Sequence, residues 1–125
     1  MIESRYDKII AKNGNQTDVY DLCKDAVLKV INGFNCTIFA YGQTGSGKTH
    51  TMFGPNWEES VSASTFAEQV KNKNKDFFAD ENTHGIIPRS ITDIFKSVSD
   101  QKEGQKFTVY CSFLQVYNEK LYDLL

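Results

Sequence analysis

A run of eight residues in the first half of the chain constrains its fold more than any other segment. The run consists of Gly42, Gln43, Thr44, Gly45, Ser46, Gly47, Lys48 and Thr49. Glycine takes positive φ without steric cost, so the backbone N–H groups of such a run can turn inward around an anion. In a P-loop of this pattern the lysine neutralises the β- and γ-phosphates, and the final hydroxyl binds Mg²⁺. We therefore expect a site for ATP or GTP, with Thr49 as the Mg²⁺ ligand.

The segments on both sides of this loop support that interpretation. Residues 36–41 form a continuous apolar run, typical of a strand that is covered on both faces. Residues 48–53 have the pattern of a helix start, which Gly54 and Pro55 cut short. A phosphate loop needs both neighbours, because the helix that follows contributes free N–H groups to the anion site.

Apolar periodicity predicts two further helices. Residues 19–31 carry one apolar stripe, with Asn15 or Thr17 as the candidate N-cap and Gly33 as the C-cap. Residues 87–98 carry a second stripe, with a proline in the first turn, where a missing N–H costs little.

Three segments are predicted to be strands. They cover residues 6–10, residues 36–41 and the long run 107–117, which Asn118 ends. Strands and helices alternate along the chain, and this order indicates an α/β fold with helices packed on a sheet.

A polar segment separates the two halves of the chain. Residues 55–84 are dominated by Asn, Ser, Lys, Asp and Glu, with a faint helical cluster at Val61, Phe66 and Val70. A connection of this length is unusual within a compact domain. We therefore expect an exposed insertion that is partly disordered and contains one short helix.

Composition narrows the classes of partner. The net charge is −2 and the pI is about 5.6, so no basic surface predicts binding to nucleic acid or to a membrane. Residues 1–15 show no signal-peptide pattern, and no apolar stretch approaches the roughly 20 residues of a membrane helix. The cysteines Cys23, Cys36 and Cys111 lie far apart, which favours reduced thiols and a cytosolic protein over a metal site or a disulfide framework.

The P-loop and its flanks, residues 40–52, closely resemble the nucleotide-binding stretch of the kinesin motor domain. Five further segments resemble that family in the same order, at residues 6–10, 16–20, 33–35, 85–89 and 112–119. Because the six matches span nearly the whole chain in register, the chain is identified as a member of the kinesin family.

The resemblance implies a P-loop NTPase with a mixed central β-sheet flanked by helices, of which residues 1–125 form an incomplete motor domain. It implies ATP and Mg²⁺ as cofactors, microtubules as the partner and the cytoplasmic cytoskeleton as the location, with tubulin contacted by parts of the domain outside this sequence. It also gives His50 a role in packing against the adenine. Arg89 and Glu119 belong to family motifs, and we interpret both as structural, with Arg89 bracing a helix start and Glu119 the end of a strand. No oligomeric state is predicted.

Three family motifs are not found in these 125 residues. They are Arg-x-Arg-Pro near the N-terminus, Asn-x-x-Ser-Ser-Arg-Ser-His of switch I and Asp-x-Ala-Gly-Ser-Glu of switch II. Phosphoryl transfer in P-loop NTPases depends on such groups to fix the metal and orient water. We therefore expect no catalytic residue within this chain and no measurable microtubule-stimulated ATPase from the chain alone.

The sequence leaves two alternatives to a motor ATPase. The first is a non-catalytic nucleotide-binding module that kept the phosphate loop. The second is another P-loop enzyme, such as a nucleotide kinase or a GTPase. That class would be expected to show a second strand that ends in a lone Asp, or the Asn-Lys-x-Asp motif that reads guanine. Neither occurs in the sequence, which disfavours this alternative.

Overall fold

The computed structural model describes residues 5–55, 82–101 and 105–125. In chain order its elements are α1 (Gln16–Asp21), α2 (Lys24–Lys29), a 3-10 turn (Val30–Asn32), α3 (Lys48–Phe53), α4 (Ile86–Ser99), β1 (Leu114–Tyr117) and β2 (Lys120–Asp123). The predicted insertion at 55–84, with its short helix around Phe66, lies almost entirely outside the described residues.

Helix α1 begins with a reciprocal cap. The Asn15 side chain accepts hydrogen bonds from the backbone N–H groups of Thr17 at 2.8 Å and Asp18 at 3.1 Å. The Asp18 carboxylate in turn accepts from the Asn15 N–H at 2.8 Å. This is a capping box, which satisfies donors that the first turn of a helix otherwise leaves unpaired. Of the two candidate caps, Asn15 is therefore the one used.

The single helix predicted over residues 19–31 is wrong in one respect, because the structure divides it. Helix α1 ends at Asp21, and Cys23 N donates to Tyr20 O at 2.9 Å, a tighter spacing than that of an α-helix. The Cys23 thiol donates to the same carbonyl at 3.3 Å. Helix α2 and the 3-10 turn follow, and Gly33 ends the segment with φ of 86°, as predicted.

The core lies where α4 crosses the first three helices. Tyr20, Val27 and Ile86 are its buried members, and they are surrounded by the half-buried side chains of Val19, Cys23, Ile38, Met52 and Ile94. Helix α4 begins in the predicted region and carries its proline in the first turn. Helix α3 covers the predicted residues, Lys48–Phe53, and Gly54 is its C-cap.

The strands depart most from the prediction. Within the described residues, β1 and β2 form an antiparallel hairpin, with Val116 opposite Leu121, and residues 6–10, 36–41 and 107–113 form no strand. The prediction of strands at those three places was wrong for this structure. An apolar, β-branched run favours extended backbone, but a strand also needs a neighbour for its ladder. Phe39 and Tyr41 are 81% and 94% exposed, so residues 36–41 are not covered on both faces either.

The hairpin turn explains where the long predicted strand stops. Asn118 and Glu119 both have positive φ, of 49° and 60°, and the chain reverses there into β2. Asn118 ends β1 as predicted. Asparagine tolerates this left-handed region better than most residues do.

Candidate nucleotide-binding site

Two of the loop glycines have the backbone that a phosphate loop requires. Gly45 has φ of 79° and Gly47 has φ of 88°. A Cβ added at either position would meet nothing within 4 Å, so backbone conformation rather than space requires glycine there. Gly42 is constrained differently, because a Cβ there would lie 2.5 Å from the Ser46 hydroxyl oxygen. The Ser46 side chain therefore packs against the Gly42 backbone.

The Lys48 side chain folds back over this loop. Its Nζ donates to the carbonyl oxygens of Gly42 at 2.8 Å and Gln43 at 2.7 Å. The Ser46 N–H also donates to Gln43 O, at 3.2 Å. The structure therefore brings the Lys48 ammonium group to the start of the glycine-rich run, where it contacts main-chain carbonyls.

The other predicted site residues follow directly in α3. Thr49 and His50 lie in the first turn of the helix, and both are exposed. The turn holds its register through a hydrogen bond from Thr51 N to Gly47 O at 2.8 Å. The described residues contain no group of three or more His, Cys, Asp and Glu side chains that could hold a metal ion. A magnesium ion at Thr49 would therefore depend on phosphate oxygens for further ligands, as in other P-loop sites.

One residue that supports α3 was missed from the sequence. The Gln16 amide donates to the main-chain carbonyl of His50 at 2.7 Å, although the two residues are 34 positions apart. Gln16 is 9% exposed, an unusual degree of burial for a glutamine. Its place within the family-like segment at 16–20 was the only local signal, and that signal does not identify its partner.

Helix α3 is also fixed at its other end. Gly85 N donates to Phe53 O at 3.1 Å. A Cβ at Gly85 would lie 2.6 Å from both Met52 C and Phe53 N, so the start of α4 contacts the end of α3 backbone to backbone. The short helix that carries Lys48 is therefore held between α1 and α4.

Arg89 joins the start of α4 to α1, in agreement with its structural interpretation. Its Nε donates to His84 O at 2.8 Å, and its Nη2 donates to the Thr17 hydroxyl at 3.1 Å and to Asn82 O at 3.2 Å. The guanidinium carbon also lies 5.9 Å from the centre of the Tyr20 ring. Glu119 lies in the hairpin turn, after the last residue of β1.

A second, part-buried link joins α1 to α4. The Tyr20 hydroxyl donates to Asp93 Oδ2 at 3.0 Å, and Lys24 Nζ lies 3.5 Å from the same oxygen. Burial, and then the adjacent Asp93 carboxylate, raise the pKa of Tyr20 well above its usual value. These contacts join the first two helices to α4.

None of the helices in the described part of the chain has the length and apolarity required to cross a bilayer.

Comparison with known proteins identifies the family of this chain. A family model described as "Kinesin motor domain" matches residues 2–125. Kinesin-like protein KIF15 of Mus musculus is 38% identical over 125 residues, which cover 96% of this chain and 8% of that protein. Kinesin-like protein KIF27 of Homo sapiens is 40% identical over 121 residues, covering 96% of this chain and 7% of that protein. The kinesin heavy chain of Syncephalastrum racemosum is also 40% identical over 121 residues, which cover 96% of this chain and 11% of that protein.

The chain therefore spans a small part of the length of these relatives, from 7% to 11%. The family match nevertheless covers nearly all of its residues, including the P-loop and both helices that hold α3 in place. It confirms the predicted fold class, a P-loop NTPase of which the chain holds an incomplete domain. The chain belongs to the kinesin motor-domain family.

Proposed function

We propose that this chain is the ATP-binding portion of a microtubule motor, in which the full domain couples ATP hydrolysis to movement along microtubules. The observation that carries the proposal is the position of the Lys48 ammonium group, 2.8 Å from Gly42 O and 2.7 Å from Gln43 O, within a loop of positive-φ glycines. A loop of this shape presents N–H groups and one positive charge to an anion. Membership of the kinesin family makes ATP the expected nucleotide.

The loop residues fit a bound triphosphate. Gly45 and Gly47 keep the backbone turned inward, and the close approach of Gly42 to Ser46 keeps the loop narrow. Lys48 supplies charge for the β- and γ-phosphates, and the Thr49 hydroxyl would ligate Mg²⁺. When bound, the metal would neutralise phosphate charge. The remaining loop residues named in this site, Gln43 and Thr44, contribute main-chain groups to the same cradle.

His50 completes the proposed site by contacting the adenine base of the nucleotide. It follows Thr49 in the first turn of α3 and is exposed, so its flat ring is available to stack on the adenine. Stacking of this kind has little preference between bases. His50 therefore adds affinity, while it leaves the choice of ATP over GTP to other parts of the full domain.

Partners and location follow from the same proposal. Microtubules would be bound by parts of the motor domain outside these 125 residues, and the protein would then lie on the cytoplasmic cytoskeleton. The chain alone is expected to bind nucleotide without microtubule-stimulated turnover. Turnover that microtubules stimulate and that Lys48→Ala abolishes would overturn this expectation and assign catalysis to the chain itself.

The proposal is tested by titrating the 125-residue chain with ATP and Mg²⁺ in a calorimeter. Lys48→Ala removes a charge-assisted contact to phosphate and is expected to weaken binding by roughly tenfold to a hundredfold. Lys24→Ala is the matched control, because Lys24 pairs with Asp93 away from the loop. Equal affinities of the unsubstituted chain and the Lys48 variant would contradict the proposal.

A further inference from the structure

The Gln16 side chain makes a hydrogen bond that does not contribute to the cap of helix α1. The residue opens that helix, but Asn15 and Asp18 already form the capping box. Its buried amide instead donates to the carbonyl oxygen of His50 at 2.7 Å. A buried side-chain donor that reaches a distant main chain fixes that backbone in place, because an unpaired amide would carry a desolvation cost.

The His50 carbonyl oxygen accepts hydrogen bonds from two donors. Besides the Gln16 amide, it accepts the hydrogen bond from Gly54 N, at 2.9 Å, which closes the last turn of the helix. Helix α3 has six residues, too short to be stable without tertiary contacts. Because the peptide group is planar and rigid, holding this carbonyl sets the rotation of the helix at the residue that carries the His50 side chain.

We propose that Gln16 is a positioning residue for the nucleotide base, acting through His50. It holds the His50 main chain so that the imidazole ring points toward the adenine, while the P-loop itself holds the phosphates. This inference rests on the proposed ATP site. Helix α1 would therefore contribute to base binding through His50, without touching the nucleotide itself.

The neighbouring residue provides a matched control. The Thr17 hydroxyl accepts its hydrogen bond from Arg89 in α4, at 3.1 Å. Two adjacent side chains of α1 therefore reach different elements, Gln16 the nucleotide helix and Thr17 helix α4. Thr17→Val removes the hydrogen bond from Arg89, which also joins two helices, and leaves the bond between Gln16 and His50 unchanged.

The test variant is Gln16→Met, which keeps the length of the side chain and loses the donor. The His50 carbonyl keeps its bond from Gly54 N, so no buried acceptor is left unpaired. The His50 main chain is then held by one hydrogen bond fewer, so the ring is less firmly directed toward the base. Binding of phosphates by the loop is expected to remain, and only the contribution of the base to affinity is expected to fall.

The experiment compares the affinities of the 125-residue chain for ATP and for inorganic tripolyphosphate, each with Mg²⁺, by calorimetry. The ratio of the two affinities isolates the contribution of the nucleoside. We expect this ratio to fall by about fivefold to tenfold in Gln16→Met and in His50→Ala alike. The double variant should show no larger loss than His50→Ala, and Thr17→Val should match the unsubstituted chain.

The outcomes separate this inference from the proposed function. If both ligands bind and the ratio is unchanged in Gln16→Met, or if the losses add in the double variant, Gln16 does not act through His50. If the unsubstituted chain binds neither ligand in a Lys48-dependent way, the proposed ATP site itself is wrong. If Gln16→Met does not fold, Gln16→Glu replaces it. Unfolding of both variants while Thr17→Val stays folded would also overturn the inference, because Gln16 would then serve the whole fold.

Discussion

The amide of Gly85 donates to the carbonyl of Phe53 over 3.1 Å, so the backbone at the start of α4 rests directly on the end of the nucleotide helix α3. The contact also closes the two ends of the polar segment 55–84 onto each other. A Cβ at Gly85 would lie 2.6 Å from main-chain atoms of Met52 and Phe53, which cannot move aside as a flexible side chain could.

Gly85→Ala is therefore expected to lower the free energy of unfolding by about 1–3 kcal/mol, the usual cost of forcing atoms into a packed contact. Urea unfolding followed by circular dichroism measures this change. Lys96→Ala, on the exposed surface of α4, is the control and should differ from the unsubstituted chain by less than about 0.5 kcal/mol. If both variants unfold at the same urea concentration, the backbone contact does not constrain this position.

The buried Tyr20 hydroxyl predicts loss of stability in alkali. Its folded-state pKa is raised above the ordinary value of 10.0 by burial and by Asp93, so folding favours the neutral phenol. The stabilisation is complete below about pH 10 and declines as the pH rises beyond that value, because the unfolded chain then loses the proton first. Burial also raises the pKa of Cys23, which acts in the same direction from about pH 9.

Tyr20→Phe should therefore reduce the decline of unfolding free energy above pH 10 without removing it, since Cys23 still contributes. Thermal unfolding between pH 8 and pH 11 provides the comparison. The variant should also be less stable at neutral pH by about 1 kcal/mol, because the bond to Asp93 is lost. A variant whose pH profile parallels that of the unsubstituted chain would show that Tyr20 is not protected from ionisation.

The hairpin predicts self-association of the 125-residue chain. Val116 and Leu121 face each other across the two strands and are 72% and 73% exposed. Open strand edges with apolar side chains readily pair with other chains. Sedimentation velocity should show an average mass that rises with protein concentration.

Substituting lysine at both positions, Val116→Lys with Leu121→Lys, should reduce that association, because charge on an edge opposes pairing. Ile91→Lys, at a half-exposed site on α4, is the control for added charge alone. A chain that remains monomeric at high concentration, or association that the hairpin substitutions leave unchanged, would contradict this account of the hairpin.

Features set by neighbouring residues could be predicted from the sequence. Glycine and proline after Phe53 end α3, and Gly33 ends the first helical segment, because each residue type limits its own backbone. The glycine-rich run likewise predicted the loop that Lys48 folds over. These features depend on the backbone preferences of residues within the segment itself, so the local sequence is enough to predict them.

Features that depend on a distant partner could not be predicted. Residues 36–41 are apolar enough for a strand, yet a strand exists only with a neighbour to pair with. The bond from Gln16 to His50 joins positions 34 apart, and nothing in either local pattern indicates it. The break after Asp21 is similar, because an apolar stripe does not show where a helix changes its spacing.

The loop around Lys48 is expected to bind the triphosphate of ATP. A crystal structure of the chain with Mg²⁺ and a non-hydrolysable ATP analogue tests this most directly. We expect the β- and γ-phosphates within the loop of Gly42 to Thr49, with Lys48 Nζ bonded to phosphate oxygen in place of the carbonyls of Gly42 and Gln43. An analogue bound elsewhere on the chain, with the Lys48 contacts unchanged, would contradict the account.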